Sequence, residues 1–113
     1  GKGVYQGKIY VKDIAQKTNA YQLSKALLLS ENSEFNSKPE LEIYADDVKC
    51  SHGSTSGSVD ENSIHYLMTR GLSKKQAVQL LVNGFLNEII GDIKSNSVRK
   101  FIENKIEIQI HGY

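Results

Sequence analysis

The cysteine and histidine at positions 50 and 52 are the residues whose types and spacing could do chemistry. Cys50 is the only cysteine of the chain, and His52 is one of three histidines. They stand where a β-like run gives way to a polar Gly/Ser stretch, and residues two apart on a strand project from the same face. A thiol beside an imidazole indicates a metal site or an activated nucleophile. The plainer interpretation is that Cys50 is a small buried hydrophobic residue.

A metal site within this chain alone would lack ligands. A structural tetrahedral site takes four protein ligands, and no second Cys or His pair accompanies the first. The other residues with suitable donor atoms are scattered along the chain: Asp46, Asp47, Asp60, Glu61, His65 and His111. The ligand count therefore favours a site shared with another chain, to which Cys50 and His52 contribute half of the ligands.

Catalysis by Cys50 has weak support. Its neighbour Lys49 projects to the opposite face of a strand, and no orienting Asn or Asp follows at an identifiable position. The stretch from Gly53 to Ser58 lacks the Gly-Lys-Ser/Thr ending of a P-loop, and a turn leading into a helix cap at Asp60 explains it more simply. We predict no catalytic residue and no enzymatic activity.

Size, charge and cysteine content exclude several classes of protein. The 113 residues fit one domain or two small subdomains. A formal net charge of +1 without a basic patch argues against nucleic-acid binding. No apolar run approaches the ~18 residues that cross a bilayer, so we expect no membrane partner. A single cysteine suits a reducing compartment such as the cytosol. The chain begins at Gly1 without Met, and we expect it to be a fragment of a longer protein.

Residues 1–58 read as strands separated by polar turns. The predicted strands are Val4–Val11, Ala26–Ser30, Leu41–Ala45 and Val48–His52. Pro39 is expected just before the third strand, where a proline is tolerated. Short strands recurring about every 15 residues indicate a stacked β-solenoid or a small sandwich, and the first rung of a solenoid would need a neighbour beneath it.

Residues 59–113 read as helices. Asp60 is a predicted N-cap, and Gly71 closes the first helix. Ser73 begins the longest helix, which runs to Ile93, and Gln76 completes a capping box. The apolar stripe expected along it is Val78, Leu81, Val82, Phe85 and Ile89. A last segment opens at Ser97, and a helix is favoured there over a helix-to-strand switch.

The sequence around Cys50 resembles a known family. The run Lys38–Gly53 is similar to the signature of the SufB/SufD family of iron–sulfur cluster assembly proteins, and its Asp-Asp-Val-Lys-Cys-Ser-His segment is closer to SufD than to SufB members. Further matches cover nearly the whole chain: Gly7–Ile9, Ala15–Thr18, Leu27–Ser30, Asp60–Glu61, Tyr66–Leu67, Arg70–Gly71 and Gly84–Phe85. Departures at Ser54, Ser56 and His65 lie outside the central motif.

The resemblance implies an α+β fold. Residues 1–58 would form the last rungs of a right-handed parallel β-helix, and residues 59–113 a C-terminal helical subdomain. It also implies that the chain is the C-terminal end of a protein of several hundred residues.

The resemblance further implies a non-catalytic scaffold subunit of the SUF machinery. Such a subunit pairs with a SufB-like paralogue and binds a SufC-like ABC ATPase through its C-terminal helices. His52 would be an iron ligand, with Cys50 the adjacent thiol, at the interface where the nascent iron–sulfur cluster forms. The cluster would be transient and shared, so we expect none held tightly by this fragment. The implied location is the cytoplasm, or the plastid stroma in a plastid-bearing organism.

Three hypotheses follow from this reading. The first is the cluster-assembly scaffold, and the second is a purely structural adaptor that recruits the ATPase without a metal role. The third is a cysteine- or zinc-dependent enzyme, which only the Cys-x-His pair supports. A homodimer formed through the exposed rung is a further open alternative.

Overall fold

The fold is α+β: four strands are followed by three helices. The computed structural model describes residues 1–110, except the side chains at 108 and 110. The elements are β1 (Lys2–Val11), β2 (Asn19–Leu28), β3 (Glu34–Ile43), β4 (Lys49–Ser58), α1 (Glu61–Thr69), α2 (Lys74–Ile90) and α3 (Asn96–Ile110). They form two compact units, a β unit of Gly1–Ser58 and a helical unit that begins at Val59.

The β unit contains two parallel two-stranded sheets. Strand β1 pairs with β3, and β2 pairs with β4, so the chain visits the two sheets alternately and returns to each after about 30 residues. Parallel neighbours cannot be joined by a tight hairpin, and here each connection contains a strand of the other sheet. The parallel pairing is that of a stacked coil, and it differs from the hairpins of an antiparallel sandwich.

The predicted strand bounds were wrong for three strands. Strand β2 begins at Asn19 and not at Ala26, β3 begins at Glu34, and β4 continues through the Gly/Ser stretch to Ser58 where a turn was predicted. Pro39 consequently lies inside β3, which is an edge strand and therefore tolerates a proline. These segments are polar, so their hydrophobic pattern is weak, and ladder hydrogen bonds to the neighbouring strand define them instead.

The outward face of the β1–β3 sheet is charged. Lys2 lies 3.3 Å from Glu34, and Lys8 lies 3.1 Å from Glu42, both pairs being exposed. The Tyr44 hydroxyl donates to Glu42 at 2.5 Å, and this bond together with Lys8 lowers the pKa of the Glu42 carboxyl. Exposed ion pairs add little stability, but opposite charges across the ladder support the observed register.

The helical unit begins at the caps that the sequence predicts. The Asp60 side chain caps α1, and Gly71, at φ +100°, follows the end of that helix. Ser73 and Gln76 form both hydrogen bonds of a capping box at the start of α2. Helix α2 ends at Ile90 and not at Ile93, because the chain turns at Gly91.

Two further expectations concern the apolar face of α2 and the nature of the last segment. The buried residues of α2 are Ala77, Val82 and Ile90, whereas Ile89, predicted in the stripe, is 69% exposed. The last segment is helical through Ile110, so the helix was correctly favoured over a strand. Among residues 1–110, no helix is both long and apolar enough to cross a bilayer.

Candidate functional site

Two stacked loops fix the start of β4. The Lys17 amide donates to the Asp47 carbonyl at 2.6 Å, and the Asp47 amide donates to Gln16 Oε1 at 2.9 Å. The Lys49 amide then donates to the Thr18 carbonyl at 2.9 Å. These bonds join the loop before β2 to the loop before β4. The site strand is therefore set in register from its first residue.

Cys50 and His52 share one face of β4. In the β2–β4 ladder, Cys50 is the partner of Ala20, and His52 is the partner of Gln22. The ladder is regular over all ten residues of β4, so the alternation of side chains is not interrupted. The thiol and the imidazole are therefore neighbours on one face, as their spacing predicts.

That face is turned toward the other sheet. Ser24 of β2 is only 7% exposed, and it accepts a hydrogen bond from Ser37 of β3 at 3.4 Å. Two residues earlier in β2, the side-chain amide of Gln22 occupies the space where a Cβ of Gly7 would lie. Paired residues of a parallel ladder point to the same side, so the site residues of β4 also belong to the inward face.

The position of His52 differs from that of Gln22 in what lies across from it. Gln22 faces Gly7, and Gly7 is paired with Pro39 in the adjacent strand. The ladders therefore place Pro39 at the level of His52. Neither glycine nor proline offers a polar side chain, so the polar groups at these two levels come from β2 and β4.

The site lies at an open strand edge. Within residues 1–110, no strand pairs with the free edge of β4. Cys50 is half-buried, and His52 is exposed although it belongs to the inward face. Open strand edges are ready to pair with another chain. Both side chains are accordingly within reach of a partner that docks on this edge.

The other predicted ligands do not join the pair. Asp46 and Asp47 are exposed in the turn that precedes β4. Three belong to the helical unit, namely Asp60, Glu61 and His65, while His111 lies outside the described residues. Within the part of the chain that the structure describes, no group of three or more His, Cys, Asp and Glu side chains could hold a metal ion.

Asp60 already has a structural role. Its carboxylate accepts from Ser63 Oγ at 2.7 Å and from the Asn62 amide at 3.1 Å. The hydroxyl of Ser63, and then the amide of Asn62, hold the pKa of this carboxyl below its ordinary value. The residue therefore acts as a helix cap, which accounts for its acidity without a metal.

Gln22 is the residue of this region that the sequence did not point out. Its Nε2 is buried and has no hydrogen-bond partner among the described residues. The signal was the spacing of the strands, because a period of about 30 residues brings Gln22 beside His52. That period became readable only when the true start of β2 was known.

The comparisons with known proteins agree with this geometry. Residues 1–85 match the family model described as the SUF system FeS cluster assembly SufBD core domain. The chain therefore belongs to the SufBD core-domain family of the SUF iron–sulfur cluster assembly system.

The relatives are consistent with one another. The chain is 43% identical to an iron-sulfur cluster assembly SufBD family protein of Synechocystis, over 87% of this chain and 22% of that protein. It is 36% identical to the iron-sulfur cluster assembly protein SufD of Escherichia coli, over 99% of this chain and 26% of that protein. It is also 36% identical to the chloroplastic protein ABCI7 of Arabidopsis thaliana, over 95% of this chain and 22% of that protein. The chain thus spans about a quarter of the length of these relatives.

Proposed function

We propose that this chain is part of a non-catalytic scaffold subunit of the SUF machinery, and that Cys50 and His52 supply ligands for an iron–sulfur cluster assembled at an interface. The observation that carries the proposal is the position of both residues on one face of β4, at an open strand edge. Membership of the SufBD core-domain family supplies the context of cluster assembly.

The donor atoms suit such a cargo. Cysteine thiolate is the usual ligand of iron–sulfur clusters, and imidazole replaces it in some of them. Two ligands are too few to hold a cluster, so the remaining ligands would come from a partner chain. The cluster is in this view the product that the complex delivers, and no resident cofactor is assigned to the chain.

The fold offers a place for that partner. Two parallel ladders that repeat after about 30 residues have the arrangement of the last rungs of a β-helix, which is the fold we assign to residues 1–58. The free edges of β3 and β4 would then receive strands of a SufB-like paralogue. A second copy of the chain could occupy the same edges, and this homodimer is the alternative occupant.

The helical unit, residues 59–113, would bind the ATPase of the SufC type. A groove between α1 and α2 is lined on its apolar side by Tyr66, Leu67, Leu80 and Leu81. Leu80 is 51% exposed and Tyr66 56% exposed, so the groove presents apolar surface. Bacterial and chloroplastic relatives place the complex in the cytoplasm or the plastid stroma.

The test is a His52→Ala substitution in the full-length protein, co-expressed with its SufB-like and SufC-like partners. We expect the purified complex to lose most of its iron and acid-labile sulfide while it retains the ATPase subunit. The matched control is His65→Ala, since His65 is an exposed histidine on α1 and should leave the cluster content unchanged.

The outcomes separate the hypotheses. Normal cluster content in the His52→Ala complex, together with normal content after Cys50→Ser, would leave only the structural adaptor. Hydrolase activity of the isolated chain that thiol alkylation abolishes would instead favour a cysteine enzyme.

A further inference from the structure

The buried amide of Gln22 has no partner in its present position. Its Nε2 is shielded from solvent, and no acceptor among the described residues lies within hydrogen-bond distance. Buried polar side-chain atoms are bonded in the large majority of cases, so each exception calls for an explanation. An atom of this kind is expected to gain a partner in a second state of the protein.

The surroundings of the amide restrict what that partner can be. Gly7 faces it and leaves room for it, and a Cβ there would also lie 2.8 Å from the Tyr5 hydroxyl. The next inward residue of β2 is Ser24, whose hydroxyl already accepts from Ser37. Along the strand direction, the ladder partner of Gln22 is His52.

The distance between Gln22 and His52 suits a side-chain hydrogen bond. Neighbouring strands are about 4.8 Å apart, and paired residues of a parallel ladder share a face. The glutamine side chain is long enough to turn toward the ring one strand away. Rotation of its terminal amide presents either the oxygen or the nitrogen, so one residue can accept from an imidazole N–H.

We propose that Gln22 is a positioning residue for His52: its amide oxygen accepts the N–H of the imidazole whose other nitrogen binds iron. A histidine that binds a metal through one ring nitrogen almost always donates its second N–H to a neighbouring acceptor, which fixes the tautomer and the orientation of the ring. The same movement takes Nε2 out of its unpaired position above Gly7. This inference rests on the proposed function, since it assigns a partner to the proposed ligand.

The experiment measures Fe²⁺ binding under anaerobic conditions to the full-length protein in complex with its SufB-like and SufC-like partners. Gln22→Leu keeps the size of the side chain and removes the acceptor, and we expect iron affinity to fall by about 10- to 100-fold, the usual effect of losing such a partner. Gln22→Glu keeps both the length and an acceptor oxygen, and it should restore most of the affinity. Gln22→Asn keeps the amide but is too short to reach the ring, so it should resemble Gln22→Leu.

Combining Gln22→Leu with His52→Ala distinguishes positioning from a general effect on the fold. If the glutamine acts through the histidine, its replacement has no further effect once the ring is gone. Equal losses in the presence and absence of His52 would overturn the inference, as would unchanged affinity in Gln22→Leu or failure of Gln22→Glu to restore it. Should Gln22→Leu not fold, the comparison of Gln22→Asn with Gln22→Glu decides the matter in the same way.

The proposed function can fail separately. If His52→Ala alone leaves iron binding unchanged, the assignment of His52 as a ligand is wrong, and the role of Gln22 is wrong with it. If His52→Ala abolishes binding and Gln22→Leu does not weaken it, only the positioning role is wrong.

Discussion

Replacing Gly7 by alanine tests the close approach between the two sheets directly. A Cβ at this position would lie 2.8 Å from the Tyr5 hydroxyl and 3.0 Å from Gln22 Cδ, and closer still to Gln22 Nε2. Each of these atoms belongs to a side chain, so the neighbours must shift and the backbone need not. Gly57 of β4 is the matched control, because nothing lies within 4 Å of a Cβ placed there.

Two opposing effects determine the size of the change. Alanine in place of glycine in a strand ordinarily stabilises the fold by about 0.5–1 kcal/mol, since glycine loses more chain entropy on folding. Overpacking of a filled site costs about 1–3 kcal/mol. Gly57→Ala shows the first effect alone, and Gly7→Ala shows both. The free energies of unfolding of the two variants should therefore differ by about 1–3 kcal/mol, with Gly7→Ala the less stable.

Equilibrium urea unfolding monitored by circular dichroism measures this difference. With a denaturant slope of about 1–3 kcal/mol/M, the two midpoints should be separated by about 1 M. Shortening the opposing side chain in a Gly7→Ala/Gln22→Ala double variant should recover part of the loss, because the two residues are in contact. A Gly7→Ala variant as stable as Gly57→Ala would show that the amide of Gln22 does not fill the space above Gly7.

Three further predictions concern the helical unit. Ser73→Ala removes one hydrogen bond of the capping box, so urea unfolding should show a loss of about 1 kcal/mol; an unchanged midpoint would contradict the cap. Ile90→Ala should cost about 2–5 kcal/mol because Ile90 is 6% exposed, while Ile89→Ala at 69% exposure should cost far less, and equal losses by thermal or urea unfolding would contradict the burial pattern. The pKa of Asp60 is lowered in the folded chain, so its carboxylate stabilises the fold above its ordinary value of 3.8, and that contribution is lost as the pH falls through the folded-state pKa. Urea unfolding across pH 2–7 should show the gap between the wild type and Asp60→Asn closing at the acid end; a gap that is constant with pH would refute the cap's electrostatic role.

Helix termini could be predicted from the sequence because their signals are local. The Asp60 cap, the Ser73 and Gln76 capping box and the positive φ of Gly71 each depend on a few adjacent residues. The extents of β2 and β4 could not be predicted. Their residues are largely Ser, Gly, Gln and Lys, and only pairing with a distant strand keeps them extended.

The Cys50 and His52 pair was evident from the sequence, because residue type and a spacing of two are local properties that alternate predictably along a strand. Membership of the family also rests on the sequence. The tertiary structure decided which face of β4 carries the pair, and it showed the open edge beside that face. It also decided that Gln22 is the neighbour of His52 in the ladder, with Gly7 across from the amide. Such neighbours come from stacking of strands about 30 residues apart, and that pairing is fixed by hydrogen bonds between strands that no short stretch of sequence contains.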